Sequence, residues 1–256
     1  MTSTILTLAR FSLLEAMRTR IALVALALLG VGGILAWFAG QVAITETRQI
    51  QAVLMASFLR FVAVFVTAVF VIVTQTREAT DKGMEILLSL PTPRSAYYLG
   101  KLLGYLASAW SLAIIFGLSM LLLGPTGGVI TWTVSLGLEL SIVAAASLFF
   151  VTTLNHMPAA LAAVVGFYLL SRSISALRLI GGSPLINDGA TAPMLMQWSL
   201  DGIAALLPRL DLFTRSAWLV EQSPHFASLF SLAGQSVIYT ILLTLAGLVD
   251  LHRKNY

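Results

Sequence analysis

Apolar runs long enough to cross a bilayer alternate with short polar segments along almost the whole chain. The first run, residues 21–42, carries no charge. At about 1.5 Å per residue it is long enough to cross a hydrocarbon core of roughly 30 Å. Five more runs follow the same pattern. The sequence therefore predicts an all-α, polytopic membrane protein whose six spans are residues 21–42, 52–74, 102–123, 129–154, 158–180 and 226–251.

Residues 1–20 are too polar to form a span. Read at helical spacing, their apolar side chains gather on one side, opposite a polar side that includes Arg10 and Arg18. This pattern is typical of an amphipathic helix that lies among the lipid headgroups. A helical extension of the first span is the alternative. The apolar side consists of Ile5, Leu6, Ala9, Leu13, Ala16 and Met17.

Three regions interrupt the simple pattern of spans. Residues 75–101 form the longest polar, charged loop, between the second and third spans. The fifth span meets Arg172 early, so it either continues to about Ile180 with its arginines facing protein or breaks inside the membrane. Residues 181–224 contain only half-length apolar segments. Such segments persist at membrane depth where they pack on protein or line a cavity, so we predict re-entrant or interfacial helices there.

Composition supports the membrane assignment. The chain is 58% hydrophobic and only 10% charged, with a mean hydropathy of +0.93, whereas soluble domains contain about 25% charged residues. There are no cysteines, which excludes disulfides and thiolate metal sites. The basic residues stand at the ends of apolar runs rather than in one patch, a placement that favours orientation in a membrane over nucleic-acid binding.

The basic residues also orient the chain. With six spans, nine of them fall on one face, which the positive-inside rule makes cytoplasmic. Both termini are then predicted to be cytoplasmic. Four other arginines, at positions 172, 178, 209 and 215, lie on the outer face, a placement that the rule does not favour. The nine are Arg10, Arg18, Arg20, Arg77, Lys82, Arg94, Lys101, Arg253 and Lys254.

Outside the fifth span, two charged residues stand well inside predicted spans, Arg60 in the second and Glu139 in the fourth. Counted from the outer ends of their spans, both lie roughly 12–15 Å deep. A charge at that depth costs several kcal/mol unless it is paired or hydrated. We therefore predict that Arg60 and Glu139 face the bundle interior as an ion pair or line a polar passage. Two roles stay open, locking of the helix packing and direct contact with a substrate.

Enzymatic motifs are absent from the sequence. It contains no GxxxxGK[ST] phosphate loop, no HExxH zinc site and no GxSxG nucleophile elbow. The three histidines fall in predicted loops or at span ends. Met194 and Met196 could suit a soft metal, but their side chains point in different directions on a helix. We therefore expect that the chain is not an enzyme and that it binds neither a metal nor a cofactor of its own.

The polar loop resembles the pattern of a known family, the membrane subunits of type-2 ATP-binding-cassette (ABC) exporters. In these proteins an acidic residue and a glycine precede E-x-L-L-S-x-P-x-x-R, and Y-x-x-G-K opens the third span. Residues 208–213 are similar to a P-x-L-x-x-F stretch found in one branch of this family. That branch is linked to maturation of copper enzymes such as nitrous oxide reductase. The loop residues that carry the resemblance are Glu78, Gly83, Glu85, Leu87, Leu88, Ser89, Pro91, Arg94, Leu99, Gly100 and Lys101.

The resemblance implies a function. The chain would be a permease subunit in a bacterial inner membrane that forms a homodimer with two separate ATPase subunits, which bind the ATP and Mg. The loop would contain the helix that docks on the ATPase, with Glu85, Leu87 and Leu88 as contacts. The re-entrant segment would close the pathway on the outer side, where a periplasmic protein is a possible partner. Arg172, Arg178, Arg209 and Arg215 would form a gate or an interfacial belt there.

Two other functions are compatible with the residues. One is a secondary transporter coupled to ions through Glu139, although no inverted repeat is visible. The other is a membrane anchor that transports nothing, which would need neither a buried ion pair nor a docking loop. For the loop itself, the alternative to a helix that docks on an ATPase is an ordinary solvated connector between two spans.

Overall fold

The computed structural model describes residues 2–43, 46–80, 94–181, 198, 201–215, 217–220 and 226–253. All regular secondary structure in these residues is helical. A short 3₁₀ helix spans Leu210–Phe213, and residues 201–206 are also helical. The α-helices are α1 (Thr2–Arg18), α2 (Arg20–Val42), α3 (Thr47–Thr80), α4 (Arg94–Met120), α5 (Thr126–Leu154), α6 (Met157–Gly181), α7 (Ala217–Val220) and α8 (Phe226–Arg253).

Six of these helices, α2 to α6 and α8, are long and apolar enough to cross a membrane. The prediction of an all-α, multi-pass membrane protein is thereby confirmed. The fifth span does not break, because α6 is continuous from Met157 to Gly181. It follows α5 after only two residues. The first of them, Asn155, ends α5 with a φ of 56°, a left-handed conformation that asparagine tolerates well.

Two helices extend well beyond their apolar windows. The apolar window of α3 ends at residue 74, but the helix continues to Thr80, and α4 begins at Arg94, eight residues before its apolar window. The polar residues of these extensions belong to the loop between the second and third spans. We call this end of the bundle the loop side, and the opposite end, where α5 begins and α6 ends, the far side.

The α5 helix is the centre of the bundle. It contacts α3, α4, α6 and α8, whereas α2 packs on α3 at the periphery. Lipid chains supply no hydrophobic force that would drive helices together, so helix association in a membrane depends on close packing. Small residues on α5 permit such packing, because they let neighbouring helices approach closely. The run from Ala144 to Ser147 is almost completely buried, and Gly137 faces the indole ring of Trp110. This close packing fixes the positions of the polar side chains that α5 carries.

The N-terminal helix α1 packs against the first turns of α4. Two glycines at i, i+4 spacing, Gly100 and Gly104, receive Leu8 and Ser12 of α1. Ser12 is completely buried, while Leu6 and Phe11 on the other side of α1 are 73% and 65% exposed. The helix is therefore attached to the third span, and its outer side keeps apolar side chains that are able to contact lipid.

We expect Gly104→Val to release α1 from α4. A Cβ at this position would lie 2.5 Å from the Cβ of Ser12 and 2.9 Å from the carbonyl oxygen of Ala9. The overpacking should lower the free energy of unfolding by about 1–3 kcal/mol. In detergent-solubilised protein, trypsin should cut faster at the exposed Arg10 and Arg18. The matched control is Gly166→Val, which meets nothing within 4 Å. Equal cleavage of both variants would contradict the docking.

Candidate functional site

The two charged residues inside the spans form a buried ion pair in the middle of the bundle. Arg60 Nη1 lies 2.5 Å from Glu139 Oε2, and the two side chains are 3% and 0% exposed. Arg60 is in the middle of α3 and Glu139 is in the middle of α5, each about 20 Å along its helix from the far-side end. The pairing expected from their equal depth is present, and neither charge is left alone in a low-dielectric environment.

A second set of contacts holds the guanidinium of Arg60. Its Nη2 donates to Ser135 Oγ at 3.2 Å, and its Cζ lies 5.4 Å from the ring centroid of Trp132, a cation–π distance. Ser135 in turn donates to the carbonyl oxygen of Phe213 at 2.5 Å. Trp132, Ser135 and Glu139 have i, i+3, i+7 spacing, so one face of α5 surrounds Arg60. Through Ser135 this face is also tied to the 3₁₀ helix.

Glu139 is held from its other side by α6. The hydroxyl of Tyr168 donates to Glu139 Oε1 at 3.0 Å, and Arg172 Nη1 donates to the same hydroxyl at 2.8 Å. Arg172 Nη1 is also 4.0 Å from Glu139 Oε1, although its side chain is 41% exposed. The carboxylate is thus shared between a buried arginine and a partly exposed one. Tyr168 connects the bundle interior to the far side.

A small cavity adjoins this network. Its volume is about 30 Å³, which is room for about two water molecules. We call it the far-side cavity. It joins α3, α5 and α6 to the segment after the 3₁₀ helix, and three of its lining residues are arginines. The lining residues are Ala56, Ser57, Arg60, Trp132, Arg172, Thr214 and Arg215.

The four arginines expected at the outer gate separate into two groups. Arg172 and Arg215 line the far-side cavity. Arg178 pairs with Asp201 at 2.5 Å, where both side chains are exposed. Arg209 lies 3.7 Å from Asp211 on the 3₁₀ helix, in a partly exposed pair. Arg178 and Arg209 therefore each lie near an aspartate, and neither lines the far-side cavity.

A separate polar cluster joins α3 to α4 on the loop side. Lys101 Nζ lies 2.5 Å from Glu78 Oε2, and the lysine is only 2% exposed. Three hydrogen bonds of 3.0–3.2 Å link Thr74 to Tyr105, Tyr105 to Gln75 and Gln75 to Tyr97. We call this cluster the loop-side clamp; its members are Thr74, Gln75 and Glu78 of α3 and Tyr97, Lys101 and Tyr105 of α4.

Two of the predicted coupling residues, Glu78 and Arg94, lie in the described part of the chain at the base of the loop. Glu78 is turned towards Lys101 and is 17% exposed. Arg94, the first residue of α4, donates from Nη1 to the carbonyl oxygen of Leu251 at 3.3 Å, so it also ties the loop to the last turns of α8. Both therefore fix the base of the loop. The other five coupling candidates, Gly83, Glu85, Leu87, Leu88 and Pro91, lie outside the described residues.

Sequence reasoning missed three members of the central network. Trp132, Ser135 and Tyr168 look like ordinary residues of an apolar span when each is taken singly. Their spacing from a charged residue could have indicated them. Trp132 and Ser135 lie on the same helix face as Glu139, and Tyr168 precedes Arg172 by one helical turn. Across the ranges given above, no group of three or more His, Cys, Asp or Glu side chains could hold a metal ion.

Comparison with known proteins adds no family to this description. No protein-family model matches the chain, and no curated protein matches its sequence. The resemblance to type-2 ABC exporters is therefore carried by the loop residues themselves and by the later P-x-L-x-x-F stretch.

Proposed function

We propose that the chain is the permease subunit of an ATP-driven exporter and that a separate ABC ATPase subunit supplies the energy. The observation that carries the proposal is the course of α3. This single helix leads from the loop-side clamp, at Glu78, to the buried Arg60, a distance of about 27 Å. A movement of the loop is thereby linked mechanically to the polar site in the middle of the bundle.

The clamp supports this role by making the base of the loop rigid. Residues 81–93 join two helices whose ends are already held together by a buried ion pair and three hydrogen bonds. A short segment between two such helices converts a push from a partner subunit into rotation of both helices. Rigid-body movement of this kind is a common route to alternating access.

The proposed assembly contains two copies of the chain and two ATPase subunits in a bacterial inner membrane, with the loop side cytoplasmic. Orientation follows from the positive-inside rule, because nine of the fifteen Lys and Arg residues lie in residues 1–20, in the loop or at residues 253–254. ATP and Mg would bind the partner subunit, and this chain would bring no cofactor. The similarity of residues 208–213 to the copper-enzyme maturation branch favours a periplasmic protein as a further partner, in addition to the ATPase subunits.

The second candidate is an ion-coupled secondary transporter. The observation in its favour is Glu139, a fully buried carboxylate that contacts a partly exposed arginine and a tyrosine. A carboxylate in that position is typical of proton and sodium relays. The two candidates differ in their energy source, since a secondary transporter responds to a collapse of the ion gradient and an ABC exporter requires a nucleotide-binding partner.

The test is purification of the chain together with its nucleotide-binding subunit from co-expressing cells. Wild-type protein should bring down ATPase activity that vanadate inhibits. Glu85→Ala and Leu88→Asp, at predicted contact positions, should weaken the complex by about tenfold or more. Thr92→Ala is the control, because the family pattern requires no particular residue at that position. If neither ATPase activity nor loop sensitivity is found, the exporter proposal is wrong.

A further inference from the structure

The far-side cavity has more positive charge than the described residues around it neutralise. Three arginines line it, Arg60, Arg172 and Arg215, and none of the other lining residues in the described ranges is acidic. The one carboxylate in contact with them is Glu139, which Arg60 and Arg172 share. Within the part of the chain that the structure describes, Arg215 has no carboxylate at ion-pair distance. Counted over the described residues, the site therefore has an excess of two positive charges.

An excess of this kind is unfavourable at membrane depth. Arg60 is 3% exposed, so water screens little of its charge. Repulsion between like charges grows as the surroundings become less polar. Arg178 and Arg209 on the far side each have an aspartate within reach, and Arg48, which has none among the described residues, is exposed at the start of α3 and outside the cavity lining. An anion between the three guanidinium groups would remove the imbalance.

We propose that the far-side cavity recognises an oxyanion group, such as a phosphate, sulfate or carboxylate, on the molecule that the protein exports. The identification of the ligand as the cargo rests on the proposed function. Arginine suits this task, because its planar guanidinium donates two parallel hydrogen bonds to the oxygen atoms of such groups. The hydroxyls of Ser57 and Thr214, which also line the cavity, supply further polar groups.

The size of the cavity limits what it holds. At about 30 Å³ it has room for about two oxygen atoms, so part of the oxyanion would enter while the rest of the molecule stays outside. Arg172 and Arg215 are the partly exposed members and form the entrance, whereas Arg60 and Trp132 form the buried end. The ligand class is therefore an anionic end group on a larger body. A phospholipid headgroup and a phosphorylated or carboxylated soluble molecule share this chemistry.

The experiment measures binding to the full chain alone, reconstituted in nanodiscs of zwitterionic lipid. In one arm inorganic phosphate or sulfate is titrated against chloride at constant ionic strength. In the other arm phosphatidylglycerol replaces part of the zwitterionic lipid. Thermal stabilisation reports binding, since a ligand that binds only the folded state raises stability with its concentration. We expect saturable stabilisation in at least one arm, and the arm that responds identifies a free anion or a lipid headgroup as the source.

Variants locate the site. Arg172→Gln and Arg215→Gln should each weaken binding by about tenfold or more, since each removes a charged hydrogen-bond donor. Arg178→Gln is the matched control. It lies on the same helix as Arg172, it is similarly exposed at 44% against 41%, and it is outside the cavity lining, so it should bind like wild type. Both test positions are partly exposed, which keeps the fold intact.

Two results would overturn the proposal. One is the absence of saturable binding in both arms. The other is an equal loss of binding in Arg178→Gln and the two cavity variants, which would indicate a general effect of surface charge. No ATPase takes part in this experiment. Binding that persists when the ATPase test has failed would leave the oxyanion site in place and remove only its interpretation as an exporter's cargo site.

Discussion

Replacement of Glu139 by glutamine is expected to destabilise the bundle by about 3–5 kcal/mol, because it leaves a buried arginine without its counter-ion. Glu139 is 0% exposed and Arg60 is 3% exposed, so water cannot take the place of the carboxylate. The amide of glutamine still accepts a hydrogen bond but has no charge. The free energy of unfolding, measured by titration of detergent micelles with dodecyl sulfate, should fall by that amount.

The control for this prediction is Asp201→Asn. It also removes a carboxylate from an arginine at 2.5 Å, but the pair it breaks is exposed on both sides. Exposed pairs contribute at most about 1 kcal/mol, so this variant should unfold almost like wild type. A Glu139→Gln protein with wild-type stability would contradict the electrostatic interpretation of the central network.

A paired replacement separates packing from function. Arg60→Met combined with Glu139→Leu removes both charges and replaces them with side chains of similar reach, a change that is often neutral or stabilising in other proteins. If this variant folds and assembles normally, any remaining loss of transport belongs to the charges themselves. The two roles left open by the sequence, a packing lock and a substrate contact, are then distinguished in one protein.

The helices and the central ion pair follow from the sequence for simple physical reasons. Uncharged runs of more than twenty residues have few alternatives to spanning a membrane, and two opposite charges at equal depth have a strong reason to meet. The ends of the helices, in contrast, do not follow from the apolar pattern. The apolar window of the third span begins at residue 102, yet α4 begins at Arg94, because a helix leaving the membrane stays helical when its polar residues find partners such as Leu251 and Glu78.

The docking of α1 could not be predicted from periodicity. An amphipathic stripe looks the same whether it faces lipid or another helix, and nothing in the sequence indicates that Gly100 and Gly104 receive side chains of α1. Only the structure shows that Ser12 fills the space above Gly104. The loop-side clamp was missed for a related reason. Tyr97, Lys101 and Tyr105 repeat every four residues along α4, but their partners lie on α3, beyond a loop of thirteen residues, 81–93.

Lys101→Met is expected to loosen the connection between α3 and α4 at the loop side. The substitution leaves the carboxylate of Glu78, which is only 17% exposed, without its cation. Spin labels at Ala79→Cys and Leu103→Cys measure the separation of the two helices, and they attach nowhere else because the chain has no cysteine. The distance distribution should be narrow in the otherwise wild-type protein and broad in Lys101→Met, with the free energy of unfolding lowered by about 3 kcal/mol.

Two further variants decide whether the ion pair itself causes this effect. Arg77→Met removes a positive charge from the same helix end, but Arg77 is exposed and has no carboxylate within ion-pair distance in the ranges that the structure describes, so the distribution should stay narrow. Glu78→Leu combined with Lys101→Met leaves no unpaired charge and should restore the narrow distance distribution. In the proposed complex with an ATPase subunit, the partner should still hydrolyse ATP beside Lys101→Met, while nucleotide no longer changes the distances on the far side. A narrow distribution in Lys101→Met would show that the hydrogen bonds of Thr74, Gln75 and the two tyrosines suffice to hold the helices together.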